Sequence, residues 1–157
     1  MSAMLELAAV SLRPMREHDL AQVAAIEARA YEFPWSLGIF GDCLRAGYCC
    51  WSLMSQERLI GYGIMVVALD EAHILNLCID PNDQRQGHAR RMLLHLLELA
   101  QSRHAAMVFL EVRPSNFAAR ALYSRHGFQQ VAVRRGYYPA HPGREDAWVL
   151  SRTFERD

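Results

Sequence analysis

Residues 80–91, DPNDQRQGHARR, set arginines, glutamines and one glycine directly ahead of the strongly helical run MLLHLLELA. Glycine is roughly 1 kcal/mol worse than alanine inside a helix, so Gly87 at a helix entrance marks a place where something must approach the backbone closely. A helix N-terminus offers unpaired N–H groups and about half a positive charge, which suits a phosphate. Arg85 and Arg90 can add charge-assisted hydrogen bonds. The expected ligand is phosphorylated and lies against the amides of Arg85, Gln86, Gly87, His88, Ala89 and Arg90. The pattern is neither GxxxxGK[ST] nor GxGxxG, so a nucleotide-hydrolase phosphate loop and a dinucleotide fingerprint both fail. A helix start with a tolerated glycine is the plain alternative.

A second group follows. Glu111 sits in the short apolar run MVFLEV (107–112) beside Phe109 and Leu110, where burial is expected to raise a carboxyl pKa towards the range useful for proton transfer. The alternative is a rim carboxylate paired with Arg113. Asn116 and Tyr123 lie about two turns apart on one expected helix. Asn116 can cap that helix, and Tyr123 by itself reads as an aromatic core residue beside Leu122 and Phe128. The seven histidines show no HExxH or paired ligand spacing, so no metal is expected. His73 and Cys78 fall on opposite faces of one strand, Cys78 lacks a partner histidine for nucleophilic work, and His88 is expected to be solvated. Cys43, Cys49, Cys50 and Cys78 suggest neither a disulfide framework nor a zinc ribbon, and read as reduced, mostly buried thiols.

These groups need a frame. The pattern predicts strands at 10–15, 48–54, 58–69, 71–80, 107–112, 128–135 and 146–154, with a tight reversal near Asp70. It predicts helices over 16–31, within 33–47 (blocked ahead by Pro34, capped by Ser36), from about Gly87 to Arg103, and from Asn116 to Arg125, closed by Gly127. GYYPAHPGRE (136–145) reads as a loop. The order is that of a single mixed α/β domain spanning 1–157. At 157 residues the chain can bury a sizeable core without disulfide or metal. Seventeen basic residues balance seventeen acidic ones, which gives no argument for nucleic acid or membrane. With no apolar run near 18 residues and no basic-then-apolar leader, the expected location is the cytoplasm.

Gln84-x-x-Gly87-x-Ala89 resembles the acyl-CoA pyrophosphate loop of the GNAT N-acetyltransferase superfamily, and LEVRPSNFAARALYSRHGF (110–128) resembles its following strand, helix and turn. AYEFPWS, LDEAHILNLCIDP, RQGHAR, LEVRPSN, ALYSRHGF and RRGYYPAHPGREDA look like the blocks of the RimI-type ribosomal-protein-alanine N-acetyltransferases, and together they span nearly the whole chain. Ala89 departs from the usual second loop glycine, and Asp83 from a common aromatic. A weaker or shifted pyrophosphate contact is expected at Ala89.

The resemblance implies a GNAT fold: a twisted mixed sheet of about seven strands, splayed in the middle, with helices on both faces. It implies direct transfer of acetyl from acetyl-CoA, the co-substrate, to the N-terminal alanine α-amine of a small-subunit ribosomal protein. Glu111 becomes the general base, acting through water. Tyr123 becomes the general acid, since a phenol of pKa near 10 can protonate a thiolate of pKa near 8.5. The backbone of Leu77, Cys78 and Ile79 would meet the thioester and pantetheine, and Asn116 the pantetheine arm. Trp35, Tyr137 and Tyr138 would flank the acceptor groove, although aromatics in loops often only anchor them. The rivals are transfer to a lysine side chain or small metabolite, and an acyl-CoA-sensing module without turnover.

Overall fold

The computed structural model describes residues 9–155. In chain order these form β1 (Val10–Pro14), α1 (Leu20–Ala30), α2 (Leu37–Arg45), β2 (Cys49–Ser55), β3 (Arg58–Ala68) and β4 (Glu71–Ile79). They continue with α3 (His88–Ser102), β5 (Met107–Val112), α4 (Phe117–Arg125), β6 (Gln129–Pro139) and β7 (Arg144–Thr153). The seven strands form one sheet in the order β1-β2-β3-β4-β5-β7-β6. The β4–β5 pair is parallel, whereas β1–β2, β2–β3, β5–β7 and β6–β7 are antiparallel. The first residues, read above as carrying no leader, lie outside the described part. No described helix is long and apolar enough to cross a membrane.

The chain divides into two compact units, one running to Val66 and including Asn76–Leu96, the other comprising Val67–Leu75 and the residues from Leu97 on. In the first, β3 is buried continuously from Leu59 to Met65, as a strand covered on both faces must be. Tyr62 meets Phe40 of α2 edge-on at 5.5 Å. On the other face, a Cβ at Gly63 would come within 2.9 Å of Met92 on α3. Successive side chains thus point to helices on opposite faces. Leu20, Val23 and Ile26 bury the inner stripe of α1. Ser36 caps α2, accepting a hydrogen bond from the Ile39 amide at 3.3 Å.

In the second unit β5 lies between β4 and β7. Its ladder with β4 is only three pairs long, Glu71↔Met107 to His73↔Phe109. Its ladder with β7 runs the whole strand and sets Glu111 opposite Val149. Asn116 caps α4 through Oδ1, which accepts from the Ala119 amide at 3.2 Å. Gly127 at φ +84° ends that helix. Phe128 is buried as expected, while Leu122 is only half-buried.

GYYP is strand, not loop. β6 reaches Pro139 and β7 begins at Arg144, leaving only 140–143 to turn. The pairing slips between Arg134 and Tyr138 and then resumes, with Tyr138 opposite Glu145. Gly136, at φ +58°, makes this bulge possible. Its amide donates to Asp146 Oδ1 at 2.8 Å, and Arg144 Nε donates to its carbonyl at 2.6 Å. The segment read as a loop thus begins with a bulge inside a strand.

Candidate active site

The segment after β4 is pinned by acidic side chains. Asp80 takes Arg29 at 2.6 Å and the Asn82 amide at 3.1 Å, while Asp83 takes both ends of the Arg58 guanidinium at 2.8 and 2.9 Å. Gln84 Nε2 donates to the Ile79 carbonyl at 3.3 Å, tying the loop back to the strand end. Arg85 at φ +65° and Gly87 at φ +82° then turn the chain twice through the left-handed region. Such turns aim successive amides into one concavity, the shape that takes an anion. The Arg91 amide bonds to the Gly87 carbonyl at 3.1 Å, so the amides of His88, Ala89 and Arg90 precede the helical ladder. Nothing lies within 4 Å of where a Cβ on Gly87 would stand. Left-handed backbone, amides ahead of the helix and an open approach suit a phosphate-like anion.

His88 departs from expectation. Its side chain is buried rather than solvated, because the first turn of α3 directs it inward. Burial lowers its pKa, the Asp83 charge opposes this, and Arg91 adds to the lowering. The lowered pKa disfavours a charge on this imidazole. Arg85, Gln86 and Arg90 are exposed, and Ala89 is half-buried.

Leu77 is half-buried, whereas Cys78 and Ile79 are buried. Burial pushes the Cys78 thiol up to about 11 against hydrogen bonds from Tyr62 and Tyr31 that lower it. A thiol of that pKa is no nucleophile at neutral pH. Nearby lies a carboxylate that sequence reasoning missed. Glu27, 3% exposed, accepts from Tyr62 Oη at 2.7 Å, Asn76 Nδ2 at 2.9 Å and the Trp35 amide at 2.9 Å. Its signal was an acidic residue on the apolar stripe of α1. The Trp35 ring leans on Phe40 at 5.4 Å, so this aromatic is anchored at both backbone and ring.

Glu111 corrects one expectation and sets aside the alternative. It is paired not with Arg113 but with His73 and Arg134. His73 Nε2 donates to Oε2 at 2.6 Å and Arg134 Nη1 to Oε1 at 3.0 Å, with the Glu111 side chain 8% exposed. Burial pushes its carboxyl pKa up as foreseen, but the His73 and Arg134 hydrogen bonds and charges overcome it and hold the group below its ordinary value. Arg113 instead meets Glu145 at 3.1 Å and lies over the Tyr138 ring at 4.3 Å.

Tyr123 is buried on α4 and meets Phe128 at 5.5 Å. Tyr137 and Tyr138 pack edge to face at 4.9 Å, with Arg134 4.3 Å over Tyr137. Burial raises the Tyr138 pKa first, the Glu111 charge next, and Tyr123 contributes too. Glu111 and Tyr123 thus each lie near enough to Tyr138 to act on it. Among the described residues, no group of three or more His, Cys, Asp or Glu side chains could hold a metal ion.

A mixed sheet in this strand order, a short parallel β4–β5 ladder and a glycine loop leading into α3 define the class of GNAT-fold acyltransferases. The acetyltransferase (GNAT) family matches residues 12–128, and the chain belongs to that family. It is 41% identical over 133 residues to the [ribosomal protein bS18]-alanine N-acetyltransferase of Escherichia coli (strain K12), covering 85% of this chain and 90% of that protein. The Haemophilus ducreyi protein of the same description is 37% identical over 136 residues, 86% of this chain and 94% of that one. The crystal structure of the ribosomal-protein-S18-alanine N-acetyltransferase from Escherichia coli superposes with TM-score 0.88 at 37% identity, covering 94% and 96% of the two chains.

Proposed function

We propose that the protein, acting as one domain in the cytoplasm, transfers acetyl from acetyl-CoA directly to the α-amine of an N-terminal alanine on a small-subunit ribosomal protein, without metal, nucleic acid or membrane. The observation that carries this reading is similarity over most of the chain to the bS18-alanine enzymes.

Acetyl-CoA supplies an activated acyl carbon and a stable thiolate leaving group. The amides of residues 85–90 hold its pyrophosphate, with Arg85 and Arg90 adding charge, and Ala89 in place of a glycine weakens that hold. Backbone groups of Leu77, Cys78 and Ile79 bind the thioester and pantetheine, and Asn116 the pantetheine arm. Tyr137, Tyr138 and Trp35 border the acceptor peptide. A peptide α-amine has a pKa near 8, so a fair fraction is neutral at cellular pH. As the C–N bond forms, the nitrogen becomes strongly acidic, and Glu111 takes its proton through water. The C–S bond breaks, and Tyr123 gives its proton to the sulfur. A base held below its ordinary pKa suits this amine better than a lysine, whose pKa is near 10.4.

The test is acetyl-CoA turnover on peptides beginning with Ala, Ser or Met, and on an N-blocked peptide with an internal lysine. Turnover on the free Ala peptide that falls roughly 10²–10⁴-fold in Glu111→Gln and Tyr123→Phe is expected. Transfer to the blocked lysine peptide overturns the α-amine assignment. Cofactor binding without transfer to any peptide points to a small-molecule acceptor or a sensor.

A further inference from the structure

His73 falls within the block LDEAHILNLCIDP, but the resemblance gives it no role in acetyl transfer, and it makes one of the shortest side-chain contacts in the second unit. We propose that His73 is a positioning residue for Glu111, fixing one carboxylate oxygen from β4 while Arg134 fixes the other from β6. The inference rests on Glu111 acting as base.

His73 pairs with Phe109 at the last step of the β4–β5 ladder. Glu111 stands two residues beyond Phe109, on the same face of β5. The imidazole stacks on the Phe109 ring at 4.2 Å and 20°, and from there Nε2 reaches Glu111 Oε2 at 2.6 Å. The ladder end, the ring stack and the hydrogen bond form one rigid path to the carboxylate. Arg134 is a softer partner. Its side chain is 51% exposed against 22% for His73, and a long exposed guanidinium is screened and mobile. Each carboxylate oxygen has two acceptor positions, so the clamp leaves a position on each for the water that carries the substrate proton.

Facing Glu111 are His73 from β4 and Arg134 and Tyr138 from β6, while β7 sets uncharged Val149 opposite it. Arg113 is engaged by Glu145. Without His73, burial is opposed by Arg134 alone, and the Glu111 carboxyl must lose its proton at higher pH. A residue that merely supports the fold would leave that pH unchanged.

The experiment compares the kcat/KM pH profile of wild type, His73→Phe, His73→Gln and Glu111→Gln on an alanyl peptide with acetyl-CoA. Phenylalanine keeps a ring for the Phe109 stack without the donor, and glutamine keeps a donor. Protonation of the peptide α-amine sets the first break near pH 8 in every variant, and the lower break, where Glu111 takes up a proton, is expected to move up by about one pH unit in His73→Phe. Its kcat should fall roughly tenfold with KM for acetyl-CoA unchanged, and His73→Gln should recover part of both. A lower break in His73→Phe at the wild-type position, with Glu111→Gln inactive, overturns the role of His73 alone. An active Glu111→Gln that keeps the lower break overturns the base assignment, and this inference with it.

Discussion

Gly87→Ala separates backbone conformation from room for a ligand. Gly87 is at φ +82°, with no atom within 4 Å of where a Cβ would stand. Alanine there meets no neighbour in the chain, so folding loses only the left-handed strain, about 1–2 kcal/mol. For a chain of this length the expected fall in Tm is roughly 2–8 °C, at 2–4 °C per kcal/mol. Gly47 is a matched control. It stands at φ +76° with equally open surroundings, just past the end of α2 and outside the loop. Gly87→Ala and Gly47→Ala should therefore melt alike by scanning fluorimetry. On the proposed reading, only Gly87→Ala puts a methyl where the pyrophosphate comes closest. Its KM for acetyl-CoA should rise about tenfold or more, equivalent to 1.4 kcal/mol of binding, with kcat kept at saturation. A Gly87→Ala enzyme with the KM of Gly47→Ala would refute the loop as the cofactor site, whatever its Tm.

Two further substitutions test the buried charges that brace this frame. Asp19 is buried and takes Arg13 at 2.6 and 2.8 Å and the Arg16 amide at 2.8 Å. Burial pushes its pKa up, but these partners overcome that and hold it below its ordinary value. Its contribution is thus complete above about pH 4 and lost as pH falls through the lower folded value. Asp19→Asn should cost about 3 kcal/mol at pH 7 and flatten the acid side of the stability curve from urea titrations. An unchanged acid slope counts against the pair. Tyr62→Phe leaves the Glu27 carboxylate without its 2.7 Å donor, a loss of roughly 1.5–3 kcal/mol. A denaturation midpoint equal to wild type would show that Glu27 does not need that donor.

The elements were legible because their signals are local. Asn116 and Gly127 at the two ends of α4 act as their residue types suggest. GYYPAHPGRE was legible as a loop but the bulge at Gly136 was not, since that depends on Asp146 and Arg144 reaching back from the next strand. His88 misled because a histidine beside arginines reads as solvated, and only the direction of the first turn of α3 buries it.

By itself, the sequence determined the element order, the glycine loop, and the carboxylate and phenol on successive elements. Spacing, capping and strand alternation act between near neighbours in the chain. Only the tertiary structure decided the partners of Glu111, Glu27 and Arg113, which come from 32 to 49 residues away along the chain in the pairs Arg113–Glu145, Glu27–Tyr62, Glu111–His73 and Glu27–Asn76. The sign of the Glu111 shift followed from those partners, because burial and ion pairing oppose one another and no local pattern says which prevails.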